Sequence, residues 1–264
     1  MHITQLRNAT LVLHLGPRHI LVDPMLAPRG ALPPLRLLDG KRERNPTVAL
    51  PADTQQVLAQ VTHCLITHCQ RGHFDHLDNW GKQWLRERQV PVICTPHDAD
   101  YLRRRGLLVQ ALGDDHGSGV PLWEGQVQTV RCTHGEGVVG RMMEHGVGYF
   151  LTQPGEPSVY LMGDTLLTPR VQDFVRQYQP DLCVAPAGGA RFDVGGDIIM
   201  GAQDVLHLLG LTRGAVLANH LEAISHCPTR RTDLLALAQS AGVAHRLWVA
   251  PDGATREYSL EPLR

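Results

Sequence analysis

The chain has 264 residues, of which 43% are hydrophobic, enough to build a sizeable core in one large α/β domain. Its 25 Lys and Arg almost balance 26 Asp and Glu, so no global field attracts a nucleic-acid backbone or an anionic membrane. No apolar stretch approaches the roughly 20 residues of a membrane helix, and the N-terminus alternates in polarity instead of running apolar like a secretory leader.

In chain order, "HITQLR" (2–7), "TLVLHL" (10–15) and "HILVDP" (19–24) read as strands by period-two alternation, the last two joined by the turn "GPR". A Pro-rich, basic stretch (27–46) is an ordered, exposed loop, either a solvated connection or the rim of a pocket or a subunit contact. The spacing then predicts a helix over 52–60, a strand "HCLIT" (63–67), a helix over 77–89, a strand "PVICT" (91–95) and a helix over 97–106. The second half starts with strands at 127–133, 146–152 and 158–164. Helices at 169–178, 202–210 and 229–242, the last capped by Thr229, then alternate with strands at 181–186, 214–219 and 245–250. Each half runs from β-rich to alternating α/β, about 1–125 and 126–264. Two such halves pack as a four-layer αββα sandwich in one domain, 1–264.

Metal-capable side chains follow four of these strands: His68, His134, Asp164 and His220. Strand C-terminal ends are where α/β folds place sites, and imidazole with carboxylate suits zinc, manganese or iron. The stretch "LITHCQRGHFDHLD" (65–78) adds His73, Asp75, His76 and Asp78. Asp23, at another strand end, is placed to support the same cluster. His2, His14, His19, His63, His97, His116, His145, His207 and His245 read as ordinary surface or loop residues. The six cysteines, none in a CxxC pair, read as free thiols in a reducing cytoplasm; Cys69, Cys132 and Cys227 lie near the histidines and are either supporting groups or small packing residues.

These segments, with "ILVDPML", "THGEG", "YLMGDT", "GGARF" and "NHLEAISHC", resemble the metallo-β-lactamase superfamily, and within it the small hydrolases related to L-ascorbate-6-phosphate lactonase. The resemblance implies the pattern T-H-x-H-x-D-H-x-D. Laid on Thr67, it puts Gln70 where the second His belongs and Gly72 where the Asp belongs, and this register keeps the strand end in place; a second register puts His73, Asp75 and His76 on the H-x-D-H part, with Arg71 in place of the first His. The motif thus reads as degenerate. It implies a first metal on His68, His134 and Asp164 with Gln70 beside it, and a second on His73, Asp164 and His220. One or two zinc, manganese or iron ions at reduced occupancy are expected. Asp75 and His226 are the candidates for proton transfer, His226 equally a packing residue. Gln70, Arg191 and Glu222 are the candidates for substrate contact or for orienting a histidine. The "AGGARF" glycines either let backbone approach a ligand or make a tight turn.

The implied activity is hydrolysis of a small ester, lactone, amide or phosphorylated metabolite by metal-activated water. The degenerate motif keeps open a metal-poor binding or regulatory protein on the same fold. Nuclease activity is disfavoured by the neutral charge. The partner is a small molecule, with neither nucleic acid nor membrane, and a homo-oligomer is allowed.

Overall fold

The computed structural model describes residues 1–36, 38, 42–70, 72–113, 119–143 and 145–260; Arg71 and His116 lie outside them. Two seven-stranded sheets stack face to face. The first contains β1 (His2–Arg7), β2 (Thr10–Leu15), β3 (Arg18–Val22), β4 (His63–Leu65), β5 (Val92–Cys94) and β6 (Val109–Ala111), and β14 (Thr255–Glu257) closes its other edge beside β1. The second runs β7 (Val120–Leu122), β8 (Gly125–Arg131), β9 (Val147–Thr152), β10 (Val159–Leu161), β11 (Leu182–Pro186), β12 (Ala215–Asn219) and β13 (Leu247–Val249). In each sheet an antiparallel meander leads into parallel strands: β3 to β6 in the first, β10 to β13 in the second.

Alternation explains the layering. Leu11, Leu13 and Leu15 of β2 point between the sheets with Ile20, Val22, Tyr149, Leu151, Val184 and Leu217, while Val12 of the same strand points out. Outside, α1 (Thr54–Ala59), α2 (Asn79–Arg88) and α3 (Pro96–Arg103) cover the first sheet. The second is covered by α5 (Pro169–Tyr178), α6 (Ala202–Leu211) and α7 (Arg231–Ser240). The αββα sandwich expected from the pattern is the observed fold.

The strands β6, β7 and β14 and the helix α4 (Gly137–Met143) were not expected. Each strand has three residues, and Gln110, Pro121 and Arg256 interrupt the apolar run that would mark it. The N-cap of α7 is Arg230, without a side-chain cap bond, so Thr229 does not cap it. Among the described residues no helix is long and apolar enough to cross a membrane.

The described part of the 27–46 loop is exposed at Pro28, Arg29, Pro33, Leu38 and Arg42 to Arg44, as expected, yet anchored at both ends. Buried Arg7 donates to the carbonyls of Met25 (2.7 Å), Ala27 (2.9 Å) and Val48 (3.1 Å). Asn45 Oδ1 accepts from the Ser225 amide at 2.8 Å, and Thr47 Oγ1 donates to Glu222 O at 2.6 Å. Met25, Ala27 and Leu32 pack on Ile224, Phe74 and Cys227, so the loop forms one wall around the residues that follow β12 and β4.

Candidate metal centre

Five strand ends meet at one edge of the sandwich. Asp23 follows β3, His68 follows β4, His134 follows β8, Asp164 follows β10 and His220 follows β12. The turn after β4 adds His73, Asp75 and His76. The seven histidine and aspartate side chains other than Asp23 fall into two buried groups, His68–His73–His134 and Asp75–His76–Asp164–His220. Within each group the ligating atoms lie within 4.8 Å of one another.

In the second group, His76 Nε2 is 3.1 Å from Asp164 Oδ2 and 3.7 Å from Asp75 Oδ2. His220 Nε2 is 3.4 Å from Asp164 Oδ2 and 3.3 Å from Asp75 Oδ2. Tetrahedral zinc with bonds of about 2.0–2.1 Å spaces its ligands about 3.3 Å apart, so these separations already match a ligand shell. Asp164 Oδ2 is also 3.6 Å from His134 Nε2, which places this carboxylate between the two groups.

All five histidines have their outer nitrogen tied back. His68 Nδ1 meets Thr67 Oγ1 at 3.0 Å, His76 Nδ1 meets Asp23 Oδ2 at 2.8 Å and His134 Nδ1 meets Ile198 O at 2.8 Å. His73 Nδ1 meets Gln70 O, and His220 Nδ1 meets Cys227 Sγ at 3.4 Å. A proton held on Nδ1 leaves the Nε2 lone pair facing inward, the arrangement of a metal-ligating histidine. His68 Nε2 and His73 Nε2 are buried without a hydrogen-bond partner among the described residues. Such orphaned acceptors are costly unless something occupies the space between them. The donor set fits a pair of metal ions.

Asp23 wires both groups. Its Oδ1 accepts from the Thr67 amide (2.8 Å), and its Oδ2 accepts from Thr67 Oγ1 (2.5 Å) and His76 Nδ1. Thr67 spends its hydroxyl proton on Asp23 and so accepts from His68. Asp23 and His220 both hold positive φ (45° and 55°), uncommon for non-glycine residues and sustained by these bonds. The Asn8 carbonyl accepts from the His220 amide at 3.0 Å, and Asn8 Nδ2 lies 3.4 Å from His220 Nε2.

Charge divides along the same line. Burial alone would raise the Asp75 and Asp164 pKa values; His76 and then His220 outweigh it and hold both below the usual carboxylate range. Burial alone would lower His76 and His220; Asp164 outweighs it first and both are raised well above the usual value. In the first group burial wins, so His68 falls well below the usual value and His134 to about 4.

The expected ligands His68, His73, His134, Asp164 and His220 all reach this edge, but in a different grouping. His73 joins His68, with ring centroids 4.4 Å apart, and His134 rather than Asp164 and His220. Neither Gln70 nor Gly72 occupies a ligand position. The Gln70 side chain turns away to Asp98 Oδ1 (2.8 Å) and the His97 carbonyl (3.3 Å). Gly72 adopts φ +90°, a left-handed conformation that doubles the chain back. "HFDHLD" therefore supplies H-x-D-H-x-D from His73, and three additional residues separate it from His68. Asp75 and His76 are members of the second group; the preferred register leaves His76 out of the ligand set, and only the second register places it on the motif.

Glu222 does not orient His220: its carboxylate takes Arg231 Nη1 (2.6 Å) and the Arg231 amide (2.9 Å). Arg191 is exposed; its amide donates to His226 O at 3.1 Å. His226 is buried, stacks on Phe192 at 5.7 Å, and is lowered to about 4 by burial; its Nδ1 has no partner among the described residues. The glycines of "AGGARF" allow close approach to backbone: a Cβ on Gly188 would sit 2.3 Å from His220 O. Of the supporting cysteines, Cys227 touches His220, while Cys132 Sγ bonds Met162 O at 3.2 Å. His97 and His145, expected to be isolated, gather around buried Asp98.

A family model described as "Beta-lactamase superfamily domain" matches residues 18–220. The chain belongs to the metallo-β-lactamase superfamily. Among its superfamily relatives, the UPF0173 protein YddR of Bacillus subtilis is 28% identical over 258 residues, covering 96% of this chain and 98% of that one. A UPF0173 metal-dependent hydrolase of Xanthobacter autotrophicus is 27% identical over 204 residues, 74% of each chain. The crystal structure of isothiocyanate hydrolase from Delia radicum gut bacteria superposes with a TM-score of 0.87 at 28% identity, covering 98% of this chain and 100% of that one. Several of the relatives it resembles are named metal-dependent hydrolases.

Proposed function

We propose that the chain hydrolyses a small, uncharged electrophile, using two metal ions held by His68, His73 and His134 and by Asp75, His76, Asp164 and His220. The observation that carries this reading is the shared tethering of the five histidines, each with Nδ1 anchored and Nε2 turned inward. Imidazole-rich donors with carboxylates favour zinc, with manganese and iron as alternatives. Such ions, when bound, acidify water and polarise the substrate.

The chain's own residues supply the rest. Asp164, whose carboxylate lies between the two groups, would serve both ions, and Asp75 would complete the second group. His226, neutral and with no hydrogen-bond partner on Nδ1 among the described residues, suits proton transfer to the leaving group. Apolar clusters flank the histidines: Phe192 stacks on His226, Ile198, whose carbonyl holds His134, packs with Phe192, and Phe74 packs with Ile224. Such surfaces exclude water and favour an apolar substituent over a phosphate. Arg191 stands at the rim for substrates that carry an anionic group. Six free cysteines suit a reducing, cytoplasmic setting.

Among esters, lactones, amides and other electrophilic carbons, an isothiocyanate is the first substrate to try, given the likeness to an isothiocyanate hydrolase. Water adds to the central carbon of R–N=C=S; the thiocarbamic acid then loses carbonyl sulfide and leaves R–NH2. The test is a screen of zinc-loaded protein with an alkyl isothiocyanate, a lactone, a carboxylic ester and a phosphomonoester. Chelator-sensitive turnover of an uncharged substrate, lost in His134→Ala and His220→Ala, is expected. Turnover of the lactone alone would move the chain toward the ascorbate-phosphate lactonase branch. No turnover of any class by fully loaded protein would overturn the proposal in favour of a binding role.

A further inference from the structure

We propose that His97, Asp98 and His145 form a separate site for a divalent transition-metal ion, zinc by preference, that clips the turn between His68 and His73 to the start of α3. The three side chains offer two imidazoles and a carboxylate whose ligating atoms lie within 4.8 Å of one another. The two imidazole rings are 5.2 Å apart and tilted by 34°.

Asp98 gives the cluster its demand for a cation. The residue is fully buried at the start of α3. Its Oδ1 accepts from Gln70 Nε2 at 2.8 Å, the Cys69 thiol lies beside the carboxylate, and its Oδ2 has no hydrogen-bond partner among the described residues. The nearest imidazole nitrogen, His145 Nε2, is 3.8 Å from Oδ1, beyond hydrogen-bond reach. A buried carboxylate with no cation within hydrogen-bond reach among the described residues is costly. Consistent with this, burial raises the Asp98 pKa despite the Gln70 bond.

Ligands of a tetrahedral zinc lie about 3.3 Å apart, so the three groups need only a small contraction, which His97 on the exposed side can make, leaving the fourth position to water. Nitrogen donors disfavour calcium and magnesium. The site is distinct from the main centre but touches its support. His145 lies 5.8 Å from the His68 ring and 5.5 Å from the His73 ring, and Gln70, whose carbonyl holds His73, is bonded to Asp98. The additional residues between the two ligand histidines are therefore the segment that a clip here would fix.

The test is zinc stoichiometry on the full chain. Chelator-stripped parent, His97→Ala and Asp98→Asn proteins are titrated with zinc against a chromophoric chelator. His97 is exposed, so its replacement leaves the fold intact and decides the question even if the Asp98 variant folds poorly. The expected result is one zinc equivalent fewer in His97→Ala than in the parent, with the remaining equivalents unchanged in affinity. An equal count in His97→Ala and parent would overturn the proposal. Because the reading is a difference between two proteins, it holds whatever the occupancy of the main centre.

Discussion

Replacing Asp23 by Asn tests the wiring of the metal centre with the least change in shape. The carboxylate accepts three hydrogen bonds, from the Thr67 amide on Oδ1 and from Thr67 Oγ1 and His76 Nδ1 on Oδ2. An amide serves only one side. With its oxygen toward His76, its NH2 opposes the Thr67 N–H, which leaves a buried donor unmade at a cost of about 1–3 kcal/mol. With its oxygen toward the Thr67 amide, its NH2 faces His76 Nδ1 and drives the imidazole proton to Nε2, where a metal must bind. The same turn of the amide frees the Thr67 hydroxyl from Asp23 and loosens His68. Groups that orient metal-bound histidines are worth 10–100-fold in affinity, or about 1.4–2.7 kcal/mol. Asp23 acts on both groups, so the upper end applies: Asp23→Asn should weaken zinc binding about 100-fold in competition with a chromophoric chelator. Affinity within twofold of the parent would refute this wiring.

Thr67→Val removes the acceptor of His68 alone, and should cost about tenfold in affinity for one ion while sparing the other, read in the same competition assay. His76 and His220 are raised by their carboxylate neighbours, so the metal-free protein carries protons that an ion must displace. The affinity of the second group should climb toward about 100-fold per pH unit through neutrality, and a flat profile would contradict it. By the same linkage, their contribution to metal-free stability is complete below about pH 6.5 and is lost as pH rises through the raised values, visible as a falling Tm. Gly188→Ala forces a Cβ against His220 O; a loss of about 1–3 kcal/mol in denaturant unfolding, together with weaker zinc binding, is expected. His226→Gln should keep its zinc by elemental analysis while hydrolysis falls about 100-fold or more.

Much of this was legible in the sequence, and the reasons can be located. The apolar runs that end in Asp23, His68, His134, Asp164 and His220 are long enough to register as strands, and parallel strands deliver their C-terminal ends to one edge. The spacing from His68 to His73 was misleading. A fixed one-residue gap assigned ligand positions to Gln70 and Gly72, whereas the chain absorbs three additional residues in a turn closed by a left-handed glycine. The turn is tied to Asp98, 28 positions from Gln70, a contact that no local pattern encodes. Glu222 failed as an orienting group for a similar reason: its partner, Arg231, lies nine residues on, at the start of α7. The gathering of His97, Asp98 and His145 is likewise a contact between α3 and the segment before β9, invisible to periodicity.

The most direct measurement is metal content by elemental analysis of zinc-reconstituted parent, His73→Ala, His76→Ala and Gln70→Ala proteins. Loss of at least one equivalent in each histidine variant, with the parent's count retained in Gln70→Ala, is the expected result. A parent-like count in His73→Ala with loss in Gln70→Ala would contradict the assignment of the centre.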